Sequence, residues 1–256
     1  PSKPEEFENA IDEKTRCIYA ETLPNPKLQV FPISEVAKIG KSHNVPLIVD
    51  NTAAPYISKP IQHGANIVVY STTKYIGGHG VSIGGLIIDG GNFDWAAAGD
   101  RFKMLNTPDP SYHGAIWTEA AKPLGPIAYI LRARVILLRD LGSAMSPFNA
   151  FTFIQGLETL PLRMERHCEN AKKVAEFLEK NEKVDRVIYP SLMEEKYLNR
   201  AKKYLEKGFG ALLGFELKNG VDAGKKFIDN LKLFYHVANI GDARSLAIHP
   251  SSTTHS

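Results

Sequence analysis

The N-terminal third of the chain alternates short apolar runs with polar turns. The runs cover residues 15–20, 45–49, 67–69 and 85–88. Between the first two runs, Ser34 is a typical N-cap for a helix that extends through His43. Because strands separated by a helix usually pair in parallel, this pattern predicts an α/β fold with a mostly parallel sheet and helices on both faces.

The remainder of the chain completes the first unit and then predicts a second, smaller unit of α+β type. The predicted elements are a loop-like insertion at 90–119, helices at 127–141, 157–180 and 221–231, and strands at 186–189 and 212–217. The helix at 157–180 would join the two parts. We therefore predict one domain at 1–160 and another at 161–256.

Polar residues follow three of the apolar runs. Asn25 lies in a turn between two prolines, Asp50 ends the second run, and Lys74 follows the third. Because ligand sites of open α/β sheets gather at the carboxyl ends of strands, we expect these residues to lie along one edge of the sheet. The alternative is that each of them only caps a loop.

The segment around Lys74 carries the strongest chemical signal. Ser71 and Thr73 offer hydroxyl groups for a phosphate, and Gly77 and Gly78 allow the backbone to approach a ligand closely. A partly desolvated lysine amine forms Schiff bases with carbonyl compounds. The alternative here is a solvated loop cation beside an ordinary glycine turn.

Other candidate site residues can equally be explained by roles in packing. Tyr112 and His113 in the insertion could contact substrate, but such side chains often pack or face solvent. The arginines of residues 127–141 suit the edge of a buried helix rather than a phosphate site. The pattern places His167 at the edge of the core.

Composition narrows the class of protein. Hydrophobic residues make up 43% of the chain and charged residues 23%, which is typical of globular domains. The 31 basic and 28 acidic residues are interspersed, so we expect neither nucleic-acid nor membrane binding. Cys17 and Cys168 lack metal-site spacing and favour a reducing compartment, although one disulfide stays open. With no signal-peptide pattern, we expect a cytoplasmic protein without a metal site.

Three segments together resemble the Cys/Met-metabolism family of enzymes that use pyridoxal 5'-phosphate. They are Val-Asp-Asn-Thr at 49–52, Ser-Thr-Thr-Lys-Tyr-Ile-Gly-Gly-His at 71–79, and the tail at 241–255. The segments Pro-Asp-Pro-Ser-Tyr-His-Gly at 108–114 and Ala-Asn-Ile-Gly-Asp-Ala-Arg-Ser-Leu at 238–246 are most similar to its O-acetylhomoserine sulfhydrylase branch. The resemblance implies a PLP-transferase-like (aspartate aminotransferase-like) fold, with the cofactor domain at 1–160.

The resemblance also implies how the cofactor is held. Lys74 would attach it covalently, and Asp50 would pair with the pyridine nitrogen. Ser71 and Thr73 would bind its phosphate, and Asn25 would hydrogen-bond the phenolic oxygen of the ring. The family usually has Asp or Gln where Asn66 stands, a position that we interpret as structural.

The implied reaction is γ-replacement of O-acetylhomoserine by sulfide, or by a sulfur carrier, to give homocysteine and acetate. Asn239 would approach the substrate α-carboxylate. Family members assemble as tetramers, and their chains extend beyond both ends of this one, so we expect a fragment that holds part of a site. The alternatives are a cystathionine γ-synthase or γ-lyase of the same family and, from another class, a non-catalytic binding protein.

Overall fold

A computed structural model describes residues 3–252, and its central feature is a four-stranded sheet. The strands are β1 (Ile18–Glu21), β2 (Leu47–Asp50), β3 (Ile67–Ser71) and β4 (Gly85–Asp89), in the order β1-β2-β3-β4. The first three pair in parallel, and β4 runs antiparallel to β3. The predicted α/β fold with a mostly parallel sheet is confirmed.

Helices pack on the sheet and alternate with short strands and turns in the C-terminal part. They are α1 (Pro4–Glu8), α2 (Ile33–Ser42), α3 (Lys103–Asn106), α4 (Trp117–Ala121), α5 (Ala128–Arg132), α6 (Pro147–Glu158), α7 (Leu160–Glu179), α8 (Glu195–Tyr204) and α9 (Gly220–Asp229). Two small sheets pair β5 (Val184–Ile188) with β6 (Gly214–Leu217), antiparallel, and β7 (Tyr235–His236) with β8 (Leu246–Ala247), parallel. Among residues 3–252, none of these helices is long and apolar enough to cross a membrane.

Two predicted helices differ from the structure. The predicted helix at 157–180 is interrupted at Thr159, so that α6 and α7 are separate, and Pro161 is the second residue of α7. Proline suits a first turn, where its missing N–H is not needed. The predicted helix at 127–141 begins as α5 and continues as a π-helical segment, Ala133–Asp140. The loop-like insertion contains α3, α4 and short 3₁₀ turns.

Alternate residues of the strands face two different hydrophobic clusters. Val49 and Val68 face a cluster that includes residues of α2, α6, α7 and α8. Ile67 faces a second cluster around Trp95 and Trp117. Because the sheet is covered on both sides, its polar groups concentrate at the strand ends, where the site is expected.

Asn66 bridges the second strand and a neighbouring loop, in agreement with a structural role. Its Oδ1 accepts from the backbone N–H of Leu47 at 2.8 Å, and its Nδ2 donates to Oδ1 of Asn92 at 2.8 Å. Contacts also cross the predicted domain division. The Tyr204 hydroxyl, for example, donates to Glu35. The division at residue 160 stays a prediction.

Candidate active site

Lys74 lies in a tight turn directly after β3. The Gly77 N–H donates to the Thr72 carbonyl and the Gly78 N–H to the Lys74 carbonyl, both at 2.8 Å. The Lys74 side chain is half-buried, and its Nζ donates to Oδ1 of Asn239 at 2.6 Å. The turn thus presents one primary amine, held by an amide from the C-terminal part, at the carboxyl edge of the sheet.

Asp50 lies at the end of the neighbouring strand, with both carboxylate oxygens hydrogen-bonded. Oδ1 accepts from the Thr52 N–H at 2.9 Å, and Oδ2 accepts from the Tyr19 hydroxyl at 3.0 Å. The Thr52 hydroxyl in turn accepts from the Ser71 N–H at 2.8 Å. These contacts connect the end of β2 to the lysine turn, so the structure places Asp50, Ser71 and Lys74 at one edge of the sheet.

Tyr19 and Glu21 also lie at the candidate site, although the local sequence pattern does not assign them. In the parallel register Tyr19 pairs with Ile48 and Glu21 with Asp50, so the two side chains share a face with Asp50. Burial, and next the hydrogen bond to Asp50, raise the pKa of Tyr19 to about 12. Burial and then the Asp50 charge raise the pKa of Glu21. The alternation of side chains in Ile-Tyr-Ala-Glu at 18–21 would predict this placement once the register between β1 and β2 is known.

The hydroxyl-bearing residues of the turn lie close to the backbone at residue 84. The Thr73 hydroxyl contacts the Gly84 N–H at 3.1 Å and its carbonyl at 3.4 Å. Thr72 Oγ1 is buried and has no hydrogen-bond partner within the described part of the chain. Ser71 is half-buried at the strand end. The turn therefore carries three hydroxyl groups within three consecutive residues.

Asn25 is placed differently from the other candidates. It is exposed after β1, and its backbone N–H donates to the Glu21 carboxylate. Within residues 3–252 its side chain makes no hydrogen bond to Asp50 or Lys74. The predicted contact with a cofactor oxygen stays a prediction.

The segment after Asn239 packs directly on the lysine turn. The Ala243 N–H donates to the Gly78 carbonyl at 2.8 Å. Gly241 has a positive φ of 76°, and a Cβ there would lie 2.5 Å from the Tyr75 nitrogen. Asp242 is buried, and its hydrogen bonds from Arg244 lower its pKa. The part of the resemblance at 253–255 lies outside the described residues.

The remaining sequence candidates take part in local packing. The Tyr112 hydroxyl donates to Oδ2 of Asp140 at 2.6 Å and accepts from Nη2 of Arg139 at 2.5 Å, while His113 is exposed. His167 is half-buried, with its ring edge-on to Tyr75 at 6.0 Å between centroids. Burial, and then the charge of Arg163, lower its pKa. Among the described residues, no cluster of His, Cys, Asp or Glu has the arrangement to hold a metal ion.

The fold and the site define an α/β protein with a lysine amine and a carboxylate at the carboxyl ends of adjacent parallel strands. A model of the Cys/Met metabolism PLP-dependent enzyme family matches residues 1–256, and the chain belongs to this family. The predicted PLP-transferase-like fold is confirmed by the likeness to solved structures of such enzymes.

Relatives of known name agree with this assignment. The chain is 57% identical over 261 residues to O-acetyl-L-homoserine sulfhydrylase of Leptospira meyeri, covering 99% of this chain and 59% of that protein. It is 46% identical over 264 residues to homocysteine/cysteine synthase of Saccharomyces cerevisiae, covering 98% and 59%. A Campylobacter jejuni structure described as an O-acetylhomoserine (thiol)-lyase, with N'-pyridoxyl-lysine-5'-monophosphate, matches with a TM-score of 0.91 and 39% identity, covering 99% and 60%. The chain thus spans about three-fifths of the length of these relatives.

Proposed function

We propose that this protein uses pyridoxal phosphate to catalyse a γ-replacement in methionine biosynthesis. Sulfide replaces the acetate group at Cγ of O-acetylhomoserine, and the products are homocysteine and acetate. The observation that carries the proposal is the Lys74 amine in its turn after β3, with the Asp50 carboxylate at the end of the adjacent parallel strand, in a chain of this family. The names of the Leptospira and Saccharomyces relatives support the substrate and the product.

The donor set of the site fits this cofactor. A primary amine at Lys74 suits its aldehyde, a carboxylate at Asp50 suits its pyridine nitrogen, and hydroxyls at Ser71 and Thr73 suit its phosphate. The unpartnered Thr72 Oγ1 is a further buried group at the same place. When bound, the cofactor withdraws electrons from the substrate α-carbon.

The protein's own groups would position the substrate and move its protons. We assign Lys74 the transfer of protons at Cα and Cβ, because an amine on a half-buried turn can act as both base and acid. Asp50 keeps positive charge on the pyridine nitrogen, and Tyr19 holds the carboxylate in place. Asn25 is assigned to the phenolic oxygen of the ring. Asn239, which contacts Nζ of Lys74, is assigned to the substrate α-carboxylate.

Covalent labelling tests the attachment. The full-length protein is reduced with borohydride in the presence of pyridoxal phosphate, digested, and searched for the pyridoxyl group by mass spectrometry. We expect the label on the peptide that contains Lys74, and no label in Lys74→Arg or Lys74→Ala, since a guanidinium or a methyl group cannot form the imine. Lys59→Arg, at an exposed lysine of a nearby loop, is the matched control and should label normally. A reproducible label on another lysine would refute the assignment.

A second candidate is another reaction of the same family, cystathionine γ-synthesis or γ-elimination. It would use the same site residues, so product analysis separates the two. O-Acetylhomoserine is supplied with sulfide, with cysteine, or alone, and homocysteine from the sulfide reaction is the expected main product. A protein that takes up no cofactor and gives no product would instead fit the non-catalytic alternative.

We further propose a cytoplasmic homotetramer with small-molecule substrates, divided into domains at 1–160 and 161–256. Family membership and the absence of a membrane-spanning helix among residues 3–252 support this proposal. Analytical ultracentrifugation, cell fractionation and limited proteolysis test the assembly, the location and the domain division, in that order.

A further inference from the structure

Arg163 contacts the lysine turn through main-chain carbonyls of that turn. It lies in the first turn of α7, and its guanidinium donates to three main-chain carbonyls. Nη1 donates to the Tyr75 carbonyl at 2.6 Å, and Nη2 donates to the Ile76 carbonyl at 3.1 Å and the Gly156 carbonyl at 2.7 Å. Nε donates to the Thr159 hydroxyl at 3.1 Å. One side chain thus ties the two residues after Lys74 to the junction of α6 and α7.

The surroundings of Arg163 are unusual for an arginine. The side chain is half-buried, and burial lowers its pKa. No carboxylate of the described residues forms an ion pair with it, whereas Arg166, one turn further along α7, is exposed and pairs with Glu169 at 3.6 Å. The interactions of Arg163 are therefore directed to carbonyl oxygens, which are the groups that fix the path of a backbone.

The guanidinium of Arg163 occupies the space that a side chain at Gly78 would need. Gly78 has a positive φ of 74°, and a Cβ there would lie 2.5 Å from Nη1 of Arg163. A Cβ on Gly156 would lie 2.2 Å from the Ile76 carbonyl oxygen. The turn, α6 and α7 therefore meet closely at the guanidinium, and the ring of Phe153 on α6 also lies against Gly77.

We propose that Arg163 is a positioning residue for Lys74: its guanidinium fork holds the Tyr75 and Ile76 carbonyls, and so fixes the direction in which Nζ leaves the turn. Among the described residues, the turn's own backbone hydrogen bonds are donated by Lys74, Gly77 and Gly78, and none of them is accepted by the Tyr75 or Ile76 carbonyl. Without Arg163, two carbonyls of buried residues lose their donor, and the turn must move to find another. A lysine at this position has no planar fork and cannot serve both carbonyls with the same geometry.

The inference rests on the proposed function, because it concerns how Lys74 is presented to the cofactor. Its first test needs no cofactor. In the full-length protein, hydrogen exchange at the Gly77 and Gly78 amides is followed by mass spectrometry for wild type, Arg163→Gln, Arg163→Lys and the control Arg166→Gln. We expect at least tenfold faster exchange in both Arg163 variants and wild-type exchange in Arg166→Gln.

The second test measures the initial rate of pyridoxyl labelling at Lys74 in the same proteins. The rate should fall at least tenfold in both Arg163 variants. In a further variant, Arg163→Ala, millimolar guanidinium should restore part of the rate without changing the urea midpoint of unfolding, which a merely structural role would not allow. If Arg163→Gln or Arg163→Ala fails to fold, the exchange and labelling rates of Arg163→Lys decide whether the inference holds. Unchanged exchange, or faster exchange with unchanged labelling, overturns the inference. Absence of label in the wild type would instead overturn the proposed function, while the exchange result still reports on Arg163.

Discussion

Replacing Gly156 by alanine should disturb the contact between α6 and the lysine turn. The new Cβ would lie 2.2 Å from the Ile76 carbonyl oxygen, 3.0 Å from the Gly77 carbonyl oxygen and 3.1 Å from the Gly77 Cα. Since Cβ atoms hardly ever come closer than 3.0 Å to another heavy atom, helix and turn must separate by about 0.8 Å. The Ile76 carbonyl cannot rotate away freely, because it also accepts from Arg163.

Two opposing effects set the magnitude. Alanine gains roughly 1 kcal/mol over glycine inside a helix, whereas overpacking of this kind costs roughly 1–3 kcal/mol or more. Because these effects partly cancel, we expect a net loss of up to about 2 kcal/mol of unfolding free energy, which lowers the melting temperature by up to roughly 8 °C. A displacement approaching 1 Å near the reacting lysine can cost roughly a hundredfold in activity.

Thermal and urea unfolding, together with labelling at Lys74, measure these effects. Gly85→Ala is the control, because its Cβ would meet only the Tyr70 carbonyl oxygen at 3.6 Å, an ordinary contact. It should unfold within about 0.5 kcal/mol of wild type. A Gly156→Ala protein as stable and as readily labelled as Gly85→Ala would show that helix and turn are not in tight contact.

Three further predictions concern the site and its support. Asp50→Asn should keep cofactor but lose roughly 10²- to 10³-fold in turnover, since an amide cannot stabilise the pyridinium charge; wild-type turnover would contradict its role. Tyr19→Phe removes the hydroxyl that donates to Asp50 and should weaken cofactor affinity roughly two- to tenfold, measured by absorbance titration. Because the pKa of His167 lies below its ordinary 6.5 in the folded state, the unfolded chain binds more protons there, and stability should fall as pH drops below 6.5. Urea midpoints across this range should depend less on pH in His167→Asn, and equal slopes would count against the burial of this ring.

The sequence predicts the strands and the residues at their ends because both depend on local pattern. The apolar runs before Asp50 and Lys74 are short and bounded by polar turns, so strand and end can be assigned together. The role of Tyr19 could not be assigned in this way, because it follows from the register between β1 and β2. The interruption at Thr159 was also missed, since apolar periodicity continues across it.

The role of Arg163 could not be predicted from sequence for a different reason. Its partners are main-chain carbonyls, which carry no residue-specific signal, and the Tyr75 carbonyl lies 88 positions away in sequence. No spacing rule connects an arginine of one helix to the backbone of a distant turn. Polar residues that bind main-chain groups are therefore harder to identify from sequence than residues whose own functional group takes part in the chemistry.

The contact between Lys74 and Asn239 also bears on how the protein is made. Asn239 lies 165 residues after the lysine. At roughly 5–20 residues per second of synthesis, the turn is translated about 8 to 33 s before that amide exists. During this interval the lysine turn has neither Asn239 nor the backbone of Ala243 to pack against. A nascent chain therefore carries the reactive amine well before its final environment, and the lysine reaches its working geometry only when the C-terminal part has been translated and folded onto it.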